Sequence, residues 1–309
     1  QRHVAVRRMR QRRTWWHLES LNRRPSDYEI ASQRLTFAPQ PGSSVAMPMA
    51  EFYREHGPNA RLTLVDWERF ADPAATTYAR YVERQRDREI ITQALLDGID
   101  NSGYDGTLDP AWRLQLGETL SALRFPGHAL QMLTGYLGRL APASPVIIAY
   151  GFEAADEMRR VQRFAYRLRQ LVDIDATLVA RGQAAWQKGA AWQPLRKVME
   201  ELLVTWDWAE SFVAVTLLLK PLFDQLVLQH WPKVATLAGD PLLGLIGTSL
   251  YEDCRWHGEV SHALTRLIVA GQPSNREVLV AALEKWRPPI DSAVATLAKD
   301  LLGPVIADA

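Results

Sequence analysis

Cysteine is almost missing from this 309-residue sequence: there is one, Cys254. No internal disulfide can form, and a reducing cytoplasm is the expected compartment. No stretch approaches the roughly 18 uninterrupted apolar residues of a membrane span. The longest apolar run, Phe212 to Leu219, is broken by Thr216 and ended by Lys220 and Pro221. The Arg-rich start carries no apolar segment of signal-peptide type. An excess of one charge is missing as well. Lys+Arg number 36 and Asp+Glu 35, which argues against a globally basic nucleic-acid binder. Val/Ile/Thr alternation and Asn-Gly turns are absent, which argues against sheets. No self-similarity at a period of roughly 20 to 50 residues marks a repeat protein.

What remains is an ordinary globular composition, 47% hydrophobic and 23% charged, in a chain long enough for one large core or two small domains. Eleven Trp is a high number. Both a large core and a large protein interface would use them.

Residues 1–65 differ from the rest. Prolines at 25, 39, 41, 48 and 58 interrupt them, and no period of 3.6 is sustained. They read as an extended arm, stable only when laid on something. Its first 24 residues hold eight Arg against one acid, Glu19. From Asp66 onward the pattern is helical. Asp72-Pro73 predicts a helix to about Asn101, with Asp as cap and Pro at the first helical position. Asp109-Pro110 predicts a second helix to about Arg124, interrupted by Pro126, and a third segment to Leu140. Ser144-Pro145 opens a long helix to about Val172. Its stripe of Tyr150, Ala154, Val161, Phe164, Leu168 and Leu171 has helical spacing. Shorter helices follow, from Ala176 to Lys188 and from Pro194 to Trp206. Asp207 caps a helix running through Pro221 to about His230. Asp240-Pro241 opens another, ending near Gly271. Asn275 starts the last, with a kink or break expected at Pro288-Pro289. Long helices with short Pro-marked turns predict an all-α bundle over 66–309.

Bundles of this kind hold diiron sites, built from one Glu on each of two helices and Glu-x-x-His on each of two others. Residues i and i+3 share one face, so both ligands reach one metal. One intact copy is present, Glu259–His262. A single copy cannot build the site and reads as chance on an exposed face. Two segments are more informative. Asp156-Glu157-Met158-Arg159-Arg160 and Glu252-Asp253-Cys254-Arg255-Trp256 keep an acidic pair and an Arg but carry Arg160 and Trp256 where a His would stand. Two readings are open: a dead metal site at Glu157, Arg160, Asp253 and Trp256, or two surface acidic patches. In the first, Arg160 would pair with Glu157 or Asp253 in the interior, and Trp256 would fill the space of imidazole and iron. Gly103–Gly106 is not a phosphate loop, since no Gly-Lys-Ser/Thr follows. Gly247-Thr248-Ser249 lacks the nucleophile-elbow pattern. Cys254, His128 and His230 read as structural residues.

Several ordered segments carry a resemblance. They are Arg13-Thr14-Trp15-Trp16-His17-Leu18 with Arg24 to Ile30, Leu130-Gln131-Met132, Ala141 to Ser144, Trp206 to Val213 with Lys220-Pro221, and Glu284 to Pro288. Together they resemble the beta subunit of the hydroxylase of bacterial multicomponent diiron monooxygenases, nearest the toluene- and alkene-oxidising branch. The resemblance implies a ferritin-like fold and a non-catalytic, iron-free structural subunit. It implies alpha and gamma partner subunits in a dimer of alpha-beta-gamma protomers, with the diiron centre in alpha. A reductase, often through a ferredoxin, supplies NADH-derived electrons, and an effector protein gates turnover. Arg12, Arg13, Trp15, Trp16 and Tyr28 become candidate subunit contacts. No catalytic, cofactor-binding or metal-binding residue is expected here, and no nucleic acid or membrane as partner. Two other readings remain: an independent ferritin-like diiron enzyme, and a helical adaptor whose basic arm binds nucleic acid.

Overall fold

A computed structural model describes residues 61–100 and 102–306. The candidate contacts Arg12, Arg13, Trp15, Trp16 and Tyr28, and residues 1–60 of the expected arm, lie outside the described residues. Residues 61–65 are attached to the helical body: Leu62 is buried, and Thr63 exchanges hydrogen bonds with the Asn275 side chain at 3.0 and 2.8 Å.

The described residues form an all-helical bundle, as the sequence predicts, with no strand among them. In chain order the main helices are α1 Tyr78–Asp100, α2 Pro110–Arg139, α3 Ser144–Val172, α4 Leu178–Lys188, α5 Gln193–Leu203, α6 Trp208–Leu237, α7 Pro241–Gly271 and α8 Asn275–Ile306. Asp109, Asp207 and Asp240 cap α2, α6 and α7, each carboxylate accepting from free N–H groups of the first turn.

Four boundaries depart from expectation, the simplest being the end of α6, expected near His230 and found at Leu237. Asp72 does not open a helix. Its carboxylate accepts from the N–H of Ala74 and Thr76 at 2.9 Å each, Ala75 takes φ 46°, and α1 starts only at Tyr78. The cap chemistry is right, but the chain closes a turn instead. Pro126 does not interrupt α2. An interior Pro costs about 3 kcal/mol, while each fully buried Leu returns roughly 1.5–3 kcal/mol. The same helix buries Leu116, Leu120, Leu123, Leu130, Leu133 and Leu137, so continuity wins. By the same logic α8 runs through Pro288-Pro289, between buried Trp286 and Ile290.

α2 and α3 form an antiparallel pair, with α4 and α5 packed on α2. Gly182 of α4 lies so close to α2 that a Cβ there would sit 2.2 Å from Ser121 Cβ. α6 is the core helix. It is the one helix among the described residues long and apolar enough to cross a membrane, but 78% of its most apolar window is buried inside the protein. Its backbone widens into π turns over Phe212–Leu219 and Leu226–His230. The N–H of Lys220 bonds to the carbonyl of Val215, and that of Trp231 to Leu226, five residues back. Trp112, Trp192, Trp208, Trp231, Trp256 and Trp286 are buried. Among the described residues, the abundant Trp serves the core more than the surface.

Candidate functional site

The bundle interior is not wholly apolar. α3, α6 and α7 meet along a line of charged residues. α3 turns Glu153, Asp156, Glu157, Arg159 and Arg160 inward, all buried. α6 contributes Lys220 and Asp224, one turn apart. α7 contributes Asp253 and His257, also one turn apart and buried, with Cys254 partly buried between them.

These residues form two groups. The inner one surrounds Lys220. Its Nζ pairs tightly with Glu157 and lies 3.4 Å from Glu153 and 3.8 Å from Asp224. Arg160 Nη1 lies 2.8 Å from Asp224 Oδ1 and 3.3 Å from Glu157 Oε2. Both contacts are within ion-pair reach but off the hydrogen-bond line. Arg160 Nη2 reaches Cys254 Sγ at 3.0 Å. His257 Nε2 lies 3.0 Å from Asp156 Oδ2, and its Nδ1 has no hydrogen-bond partner.

Isolated charges at this depth would be costly; here each faces an opposite charge. Burial pushes the Lys220 ammonium down, but Asp224, Glu157 and Glu153 raise it well above its ordinary value. Burial opposes the charge on Arg160 too, and Asp224 and Glu157 outweigh it. Burial pushes Asp224 up, yet Arg160 and Lys220 hold it below the usual carboxylate range. His257 is lowered by burial and raised further by Glu153 and Asp156, so its net shift is upward. Burial and Asp224 keep the Cys254 thiol neutral, well above its ordinary value.

The outer group ties α1 to α3 and α7. Asp253 accepts from Arg159 Nη1 and Gln85 Nε2 at 2.7 Å each and pairs with Arg88. Arg159 Nε donates to Glu89 at 2.6 Å. Asp156 accepts from the Tyr81 hydroxyl and Gln85 Nε2, both at 2.7 Å.

The four positions singled out in the sequence therefore do not form one constellation. Glu157 and Arg160 meet in the inner group. Asp253 belongs to the outer one. Trp256 does not fill the space beside Arg160, where Cys254 lies. Its indole N–H donates to Asp72 at 3.0 Å, and its ring neighbours are Phe152 and Arg84. Glu259 and His262 are exposed on α7, and His128 on α2 and His230 on α6 are exposed as well. Lys220, Glu153 and Asp224 belong to the site but lie outside both acidic motifs of the sequence. Lys220 had a visible signal: a cation set inside the most apolar helix must be buried with a partner.

Among the described residues, Glu153, Glu157 and His257 place one ligand atom each within 4.8 Å of one another, close enough to share a metal ion. They do not fit one as they stand. The Lys220 ammonium already sits against both carboxylates, and Arg160 adds a second permanent cation. A cleft of about 410 Å³ between α6 and α7 reaches this group, lined by Thr216, Lys220, Asp224, Tyr251, Cys254 and His257 among others. On the outside, α1 exposes Tyr78, Val82, Ile90 and Ile91, spread around the helix rather than along one face.

Three comparisons bear on this arrangement. The family profile for methane/phenol/alkene hydroxylases matches residues 48–272. The chain is 31% identical over 301 residues to the toluene-4-monooxygenase system, hydroxylase component subunit beta, of Ectopseudomonas mendocina, covering 94% of this chain and 92% of that one. It is 24% identical to phenol 2-monooxygenase, oxygenase component DmpL, of Pseudomonas sp. (strain CF600), over 78% and 73% of the two chains. A chain in a solved structure of toluene 4-monooxygenase with toluene bound in the resting active site superposes with a TM-score of 0.79. It is 29% identical, with 85% of this chain and 86% of that one covered.

Proposed function

The chain belongs to the methane/phenol/alkene hydroxylase family, as a beta subunit of a multicomponent monooxygenase hydroxylase, and from that premise we propose that it builds the oxygenase without itself activating oxygen. The observation that carries this reading is the pair of permanent cations, Lys220 and Arg160, among the buried carboxylates. A working diiron bundle keeps those donors free for metal and supplies two Glu-x-x-His motifs. Here Arg160 and Trp256 stand at the His positions.

In this reading the diiron centre belongs to an alpha subunit, and alpha, beta and gamma form a protomer that dimerises in the cytoplasm. An effector protein, a reductase and a ferredoxin act on the complex. The substrate is a hydrocarbon, an aromatic such as toluene or an alkene, oxidised with O2 and NADH-derived electrons in a pocket this chain does not form. The chain's own work is mechanical. Residues 66–309 form a ferritin-like body cross-braced by ionic contacts. The arm of residues 1–65, with Arg12, Arg13, Trp15, Trp16 and Tyr28, lies against partners. An interface of this obligate kind buries more than about 2,000 Å².

Metal analysis of the chain alone and of the co-produced complex tests the assignment. Iron is expected in the complex and none in the chain alone. Two irons per isolated chain would overturn it in favour of an independent diiron enzyme. Deleting residues 1–30 should weaken assembly while leaving the helical circular-dichroism signal unchanged; full assembly after the deletion would remove the arm from the interface.

A further inference from the structure

We propose that Glu153, Glu157 and His257 are a latent divalent-cation site held shut by Lys220, whose ammonium stands where the ion would bind. The geometry carries this. Two carboxylates and one imidazole, from α3 and α7, bring ligand atoms within 4.8 Å of one another. Lys220 reaches them from α6, against Glu157 and 3.4 Å from Glu153. Two Glu and one His are a complete protein ligand set for an open site of a borderline metal such as cobalt or zinc.

The surroundings also suit a metal. His257 Nδ1 is buried without a hydrogen-bond partner, while Glu153 Oε1 and Glu157 Oε2 make no hydrogen bond and are held only by ion pairs, to Lys220 at 3.4 Å and Arg160 at 3.3 Å. Asp156 holds Nε2 of His257 at 3.0 Å. That leaves Nδ1 as the nitrogen to give, in the carboxylate–histidine arrangement that orients metal ligands. Arg160 would not compete fully for the vacated donors, because its closer partner is Asp224 at 2.8 Å. The cleft between α6 and α7 supplies an entry path. The chemical consequence is that Lys220, with Arg160 beside Glu157, and not a lack of ligands, separates this group from a metal site. The inference rests on the coordinates of this cluster and not on the subunit assignment.

The test uses the full chain, wild type and Lys220→Ala, titrated with cobalt(II) chloride. Metal retained after desalting, the visible ligand-field band and the melting temperature are the readouts. Lys220→Ala should retain one cobalt per chain, show a band that wild type lacks, and melt higher with cobalt than without. Adding Glu157→Gln or His257→Ala should cut its affinity ~10-fold or more. Lys220→His, which offers a neutral fourth ligand, guards against a folding failure of the alanine variant. A variant that folds only with cobalt supports the proposal. If both variants fold and retain no more cobalt than wild type, or both stay unfolded with and without cobalt, the proposal is wrong. It is also wrong if wild type binds one cobalt that His257→Ala abolishes. Failure of the Lys220 variants to bind cobalt leaves the iron content expected of the unsubstituted chain unchanged, so the proposed function stands or falls separately; cobalt held by wild type through His257 would count against both.

Discussion

Two ionic groups in this bundle use the same parts to different effect. In the inner group, Lys220 and Arg160 face Glu153, Glu157 and Asp224, and the two cations are 3% and 4% exposed. At the start of α6, Arg61 and Lys285 face Asp207 and Glu210, and the cations are 48% and 62% exposed. Arg61 lies 3.2 Å from Asp207 and 3.3 Å from Glu210, and Trp286 donates to Glu210 at 2.7 Å. Distances alone would rank the two alike. Water separates them. The exposed charges have solvent as an alternative partner, so each pair is worth little. The buried charges have only one another, so losing one strands the rest.

Substitutions at the two groups should keep that order. Without added metal, Lys220→Ala leaves three buried carboxylates facing Arg160 alone and should cost about 3–5 kcal/mol in denaturant unfolding. Lys220→Met with Glu157→Gln should recover part of that loss, because the stranded charge goes with its partner. Arg160→Met should cost roughly 3 kcal/mol, nearer the lower end because Lys220 still holds Glu157. If either buried substitution leaves the melting temperature unchanged, the contrast with the surface group collapses.

At the exposed group, Asp207→Ala should cost ~1 kcal/mol, and mostly through the cap: its carboxylate accepts the N–H of Glu210 at 2.7 Å. Lys285→Ala should cost less than ~1 kcal/mol, and less still at high salt. Glu210 gives the smallest and sharpest difference. Burial pushes its carboxyl up, but hydrogen bonds from Lys285 and Trp286 bring it below its ordinary value of 4.5. A depressed folded value means the stabilisation is complete above 4.5 and lost as pH falls through the folded value. Lys285→Ala should flatten that acid limb of the stability curve; an unaltered limb would show that Lys285 does not hold Glu210.

The sequence carried much of the fold and part of the cluster. Helix starts were readable where Asp and Pro sit together at the head of an apolar stripe, as at 109–110 and 240–241. Asp72-Pro73 looked the same and was not one, because Trp256, far along the chain, also claims the Asp72 carboxylate. Pro126, Pro288 and Pro289 looked like breaks and were not, because burial along both flanks outweighs a lost hydrogen bond. Glu157 and Arg160 were readable as a pair because they lie one turn apart on one stripe. Lys220 and His257 were not, since their partners Glu157 and Asp156 stand 63 and 101 positions away. Only the packing of α3, α6 and α7 brings them together. A local pattern shows that a charge faces inward, and the neighbouring helices decide what it meets there.

The π turns of α6 have a consequence for helical phase. A π turn takes one residue more than an α turn, so each advances the helix face downstream of it by about 100°. Phe212–Leu219 is such a segment, and Lys220 follows it directly. Which side chain of α6 points at α3 is thus set by a count of residues as much as by their kind. Removing one residue from the run would let it close as α-helix with both charges left in place. If the same residues rewound as a regular α-helix, Lys220 and Asp224 would swing about a quarter turn off Glu157, turning an apolar face toward the carboxylates and two charges into a wall of leucine.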